Sequence, residues 1–208
     1  MELREDSVSE TLDLLDWKRR VFALYAEVRA IGDPEQGWEQ WREVRRRLFR
    51  DHPQSPRPGF DRLAYFPYDR ELRFPAEVVP AEPERRAIGS SGEEPVWFTR
   101  FAVARFDGHE LELFWLDAYG GGLFLPFRDE TAGGETYGAG RYLLDTVKGA
   151  DLGTAAGRLV LDFNFAYNPS CAYDPKWACP LAPPGNRLSF PVRAGERKPE
   201  VGLEPTTL

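Results

Sequence analysis

The sequence predicts a mainly β protein of the α+β kind: an antiparallel β-barrel or sandwich preceded by an N-terminal helical hairpin. Three observations predict it. Apolar residues recur at spacings of three and four as far as Leu48 and not beyond. Short apolar segments follow, set apart by glycine-rich turns with no helical pattern between them, which points to an antiparallel arrangement. One of those turns contains Asp107-Gly108, a strong β-hairpin signal between two strand-like runs.

In the first helix Leu14, Trp17, Val21, Leu24, Val28 and Ile31 share a face, and Ser7-x-x-Glu10 reads as a capping box. Gly32 suits the residue just past its end. Asp33-Pro34-x-Gln36 then restarts a helix with an N-cap, proline in the first turn and glutamine at the third position. Trp38, Trp41, Val44 and Leu48 face inward on this second helix, which must stop before His52-Pro53. Residues 1–52 therefore read as a helical hairpin whose apolar stripe either packs on the chain's own core or serves as a homodimer arm. Arg42, Arg45, Arg46, Arg47 and Arg50 alternate with Glu39, Glu43 and Asp51 and read as a solvated face.

Residues 53–197 read as the antiparallel β domain. Leu63-Phe66 and Leu72-Phe74, with the Ala/Glu/Pro stretch to Arg86, give short or edge strands. Val96–Phe106 and Glu110–Ala118 form the hairpin. Further strands are expected at Leu123–Leu125, Arg141–Val147, Arg158–Ala166 and Leu188–Val192, and residues 198–208 read as a mobile tail.

Composition narrows the function classes. Hydrophobic residues are 42% of the 208, with six Trp and 14 Phe, enough for a packed core in one domain. A net charge of −7 argues against a sequence-independent grip on a phosphate backbone, so no nucleic-acid partner is expected. Nothing resembles a signal peptide and no apolar run is long enough to span a bilayer; the expectation is a cytoplasmic chain without a membrane partner. Two cysteines, Cys171 and Cys179, with only His52 and His109 besides, do not make the four ligands a structural zinc wants. No metal or cofactor is expected. The cysteines read as two loop thiols close enough to touch.

Three segments beside strands are unusually polar: 126–131, 135–142 and 162–173. If Arg158–Ala166 is one strand, Leu159, Leu161, Phe163 and Phe165 point one way while Asp162 and Asn164 point the other, side by side. A buried carboxylate needs a partner, and Arg141 or Arg128 can supply a bidentate one. Gly138 and Gly140 permit a close backbone approach just before Arg141.

At these residues the chain resembles an uncharacterised prokaryotic family, domain of unknown function 1684, from Trp17 to Glu196. The resemblance is carried by Leu125-Pro126-Phe127-Arg128-Asp129-x-Thr131, Thr136-Tyr137-Gly138-x-Gly140-Arg141-Tyr142, and Asp162-Phe163-Asn164-x-x-Tyr167-Asn168-Pro169 with Cys171. It continues through Cys179-Pro180-Leu181 and Asn186-Arg187-Leu188 to Ala194-Gly195-Glu196. Phe165 departs from the polar residue expected there. The resemblance implies one unit over most of the chain and attaches no activity.

Three functions are open at this point. The first is a small-molecule-binding β-barrel whose polar pocket draws on Arg128, Tyr137, Arg141, Tyr142, Asn164, Tyr167 and Asn168. The second is a hydrolase-like enzyme with Asp129 or Asp162 as carboxylate base and Arg141 holding substrate charge. The third is a dimeric interaction module with no pocket, joined through its N-terminal helices.

Overall fold

In the computed structural model, which describes residues 5–88, 90 and 96–200, the helical pattern becomes α1 (Glu5–Ala30) and α2 (Pro34–Asp51). The Asp33 carboxylate accepts hydrogen bonds from the backbone N–H groups of Glu35 and Gln36 at 2.9 and 3.1 Å, the N-cap read from the sequence. At the other helix α1 already includes Glu5, so Ser7 lies inside the helix and not at the position before its first turn. Leu24, Val28, Trp38 and Trp41 are buried against Ala150 and Phe165 of the β domain, so the predicted stripes pack on the chain's own core. Leu14 is an exception at 49% exposed. Trp17 already meets Phe49 and His52 at the end of α2, so the turns of α1 before it run past α2. Val8, Leu12, Leu15 and Phe22, on the side of α1 away from the buried stripe, are also exposed.

Among the described residues seven strands form one curled antiparallel sheet, a half-barrel in the order β5-β4-β3-β2-β1-β7-β6. They are β1 (Arg73–Ile88), β2 (Val96–Phe106), β3 (His109–Leu116), β4 (Leu123–Phe127), β5 (Arg141–Asp145), β6 (Thr154–Ala155) and β7 (Arg158–Asp162). The β2–β3 hairpin turns through Asp107-Gly108, both with positive φ, as its sequence requires.

Three strand expectations need correction. The Pro-rich stretch after Leu72 is not a set of short strands but one strand of 16 residues. It pairs with β7 over Arg73–Ala76 and with β2 from Glu77 onward, changing partner as it goes. Along most of its length one edge is unpaired, which is how Pro75, Pro80 and Pro83 are tolerated. The second correction concerns β7, which ends at Asp162, because Phe163–Phe165 close a 3-10 turn when Asp162 Oδ1 accepts from the backbone N–H of Asn164 at 3.0 Å. The two-residue alternation fails there: Phe163 packs in the sheet core, Phe165 against the helices. Lastly, residues 188–192 form no strand; Leu188 and Val192 instead lie as irregular chain packed into the sheet core.

Two glycines permit close backbone approach, one of them in that C-terminal segment. Gly195 has φ +73°, and a Cβ there would collide with the carbonyl of Ala166 and lie 2.8 Å from that of Phe163. Gly140, φ +99°, would set a Cβ 2.5 Å from the Phe127 carbonyl, the close approach expected before Arg141. Of the expected mobile tail, Lys198 is tied by its backbone N–H to Glu135 O at 2.9 Å, and residues 201–208 lie outside the described residues.

Candidate functional site

The residues singled out in the sequence separate into four places. Arg141, at the start of β5, is 1% exposed and fully engaged. Its guanidinium donates to Asp129 Oδ2 at 2.8 Å, to the carbonyl of Val192 at 2.9 Å, to that of Glu196 at 3.2 Å, and to that of Ala194. Asp129 is equally buried; its other oxygen accepts from the backbone N–H of Thr131 at 2.7 Å and from the Thr131 hydroxyl. Burial lowers the Arg141 pKa from the ordinary arginine value, and the Asp129 carboxylate opposes that shift in part. The pair bolts the C-terminal segment to the sheet edge.

A second bolt was not singled out. Glu196, 1% exposed, accepts from Arg45 Nε at 2.6 Å and Nη2 at 3.2 Å, from Asn168 N–H at 2.7 Å and from the Tyr173 hydroxyl at 2.9 Å. Arg45 belonged to the helix face read as solvated. Arg46 and Arg50 do pair with surface carboxylates, but Arg45 follows Trp41 by four residues and shares its buried side. That spacing was the available signal. The lone acid in Ala194-Gly195-Glu196 was the other.

The third place is the end of β7. Asn164 is fully buried, donates to Asp69 O at 2.7 Å and to Asp162 Oδ1 at 2.8 Å, and accepts from Asp69 N–H at 2.9 Å. Asp162 Oδ2 accepts no hydrogen bond; Arg73 Nε stands 3.4 Å away in an ion pair without hydrogen-bond alignment. Burial raises the Asp162 carboxyl to about 6. Of the two carboxylates put forward as bases, Asp129 is committed to Arg141 and Thr131, while Asp162 keeps one open oxygen.

The fourth is a cleft between α1 and the outer edge of the sheet, where Tyr142, Tyr167 and Asn168 converge with Trp17, Trp41 and Arg45 around about 60 Å³. Tyr142 and Tyr167 are held together by a mutual pair of backbone hydrogen bonds, 2.8 and 3.0 Å, that extends the sheet past β5. Their rings meet edge to face at 5.8 Å. Burial holds both phenols well above the ordinary tyrosine value, so both are neutral at neutral pH. Asn168 is 2% exposed and its Oδ1 has no hydrogen-bond partner, although its Nδ2 donates to Arg197 O at 2.8 Å.

Arg128 is exposed, its backbone paired with Asn186 and Leu188. The Tyr137 hydroxyl lies 3.7 Å from Cys171 Sγ, and the Cys171 N–H donates to Cys179 Sγ at 3.3 Å, so the two thiols do lie together. Among the described residues no three His, Cys, Asp or Glu side chains are grouped to hold a metal, and no helix is long and apolar enough to cross a membrane.

The fold and its two bolts define an antiparallel half-barrel clasped by a helical hairpin. The chain belongs to the family described as "Protein of unknown function (DUF1684)", whose model matches residues 58–197. An uncharacterized protein of Haloarcula marismortui, solved by solution NMR, is 35% identical, with a TM-score of 0.52 over 78% of this chain and 95% of that one. A comparison with curated proteins finds no match.

Proposed function

We propose that the chain binds a small molecule in the cleft between α1 and the sheet edge, inserting an apolar or aromatic end among Trp17, Trp41, Tyr142 and Tyr167. One observation carries this reading: Asn168, almost fully buried at the cleft, leaves its side-chain carbonyl without a donor. A buried amide oxygen left unmatched costs about 1–3 kcal/mol, which a ligand N–H or O–H would recover. The about 60 Å³ available suits the end of a molecule, with the remainder lying over Lys148 and Ser170. Arg45 supports the wall but is occupied by Glu196, so the ligand end is neutral.

The test is an NMR titration of isotopically labelled protein with phenol, indole and benzamide, each a flat ring carrying a donor, beside benzene as a donor-free control. Shifts at the Trp41 indole N–H and at Asn168 for the donor-bearing rings are expected, and their loss in Val21→Trp, which fills the cleft from α1. If no probe shifts these signals, or if benzene does so as strongly, the reading fails.

A further inference from the structure

A separate cavity of about 180 Å³ lies where the turn between α1 and α2 covers the β6–β7 hairpin. Val28, Ile31, Leu152 and Phe165 are among its walls, beside the polar side chains of Arg29, Arg73 and Thr154, and Asp162 is the acid that lines it. The Asp162 side chain is 1% exposed and its Oδ2 accepts no hydrogen bond. Two cations border the same space: Arg73, whose Nε is 3.4 Å from Oδ2, and Arg29, whose guanidinium donates to the Asp151 carbonyl.

This charge pattern selects a ligand class. A bare cation would gain Asp162 but face two guanidinium groups; a bare anion would gain the arginines but meet the buried carboxylate. A molecule with a donor at one end and an anionic group at the other satisfies both. The volume, a little larger than a cavity known to hold one benzene ring at about 150 Å³, fits a short chain and nothing drug-sized. We propose that this cavity is a binding site for a small amino acid or hydroxy acid, its ammonium or hydroxyl donating to Asp162 Oδ2 and its carboxylate reaching Arg29 and Arg73. Charge-assisted hydrogen bonds at both ends give the recognition. The site is independent of the Tyr142–Tyr167 cleft.

The experiment is an NMR titration of the full chain at neutral pH with β-alanine, γ-aminobutyrate and lactate, against propionate, which lacks the donor, and propylamine, which lacks the anion. The donor–acid probes are expected to shift Gly32, Thr154 and Asn164 and leave the Trp41 indole unmoved, with the two controls weaker by about tenfold or more. Asp162→Asn should weaken the donor–acid probes to the level of propionate. Should that variant fail to fold, Ala155→Trp, at an exposed position lining the cavity, keeps the carboxylate and should abolish binding by filling the space. Absence of any shift in the wild type overturns the proposal. So does equal binding of the controls, or undiminished binding in either variant.

Discussion

Arg45 of α2 and Glu196, 151 residues later, meet in a bidentate ion pair of 2.6 and 3.2 Å that joins the helical hairpin to the C-terminal segment of the β domain. The carboxylate also holds Asn168 and Tyr173, so one side chain fixes the hairpin, the C-terminal segment and the floor of the cleft together. Desolvating both charges makes such a pair a modest net stabiliser, but removing one partner leaves the other buried and unmatched.

Arg45→Met and Glu196→Gln are therefore each expected to cost about 3–5 kcal/mol in urea unfolding. Their double variant should lose clearly less than the two losses added. Single losses below about 1 kcal/mol would show that the pair is no more than a surface contact.

For the Asp129–Arg141 bolt, the geometry separates charge from shape. Arg141 addresses one carboxylate and three carbonyls at once, a pattern a single ammonium cannot reproduce. Arg141→Lys should destabilise nearly as much as Arg141→Met, by about 3–5 kcal/mol. A lysine variant within about 1 kcal/mol of the wild type would mean that positive charge alone is enough.

Asp162 gives the protein a pH signature. Its carboxyl is raised from 3.8 to about 6, chiefly by burial, with Asn164 and Arg73 opposing the shift. The folded state therefore holds that proton more tightly than the unfolded chain. Its stabilising contribution is complete below the unfolded value and is lost as pH rises through the folded one. Relative to Asp162→Asn, the wild type should lose about 3 kcal/mol of stability between about pH 3 and pH 7 in the absence of ligand. A difference between the two proteins that stays flat across that range would contradict the burial of this carboxylate as described.

Much of the architecture was legible because it is local. The three-and-four spacing, Asp33-Pro34 and Asp107-Gly108 act through backbone geometry and near-neighbour hydrogen bonds, and α2 and the β2–β3 hairpin appear where they say. β1 was less legible: its prolines argue against a strand flanked on both sides, and only the exchange of β7 for β2 along its length removes the objection. The short β6, two residues long, left no alternating pattern to read.

The sequence by itself determined the helical hairpin, the antiparallel class and the set of polar residues that had to be buried with partners. Tertiary structure decided which partners they found. By alternation Asp162 and Asn164 are two neighbours on one strand face; a 3-10 turn, made by the one accepting from the other, spent one oxygen of Asp162 and left its second without a hydrogen bond. Arg45 and Glu196 carry no mutual signal at their separation, because a long-range ion pair depends on where the whole chain folds and not on any local preference. The buried polar residues are thus divided by the fold. Asp129, Arg141 and Glu196 hold the half-barrel together, while Asp162, Tyr142, Tyr167 and Asn168 stand at two of its cavities.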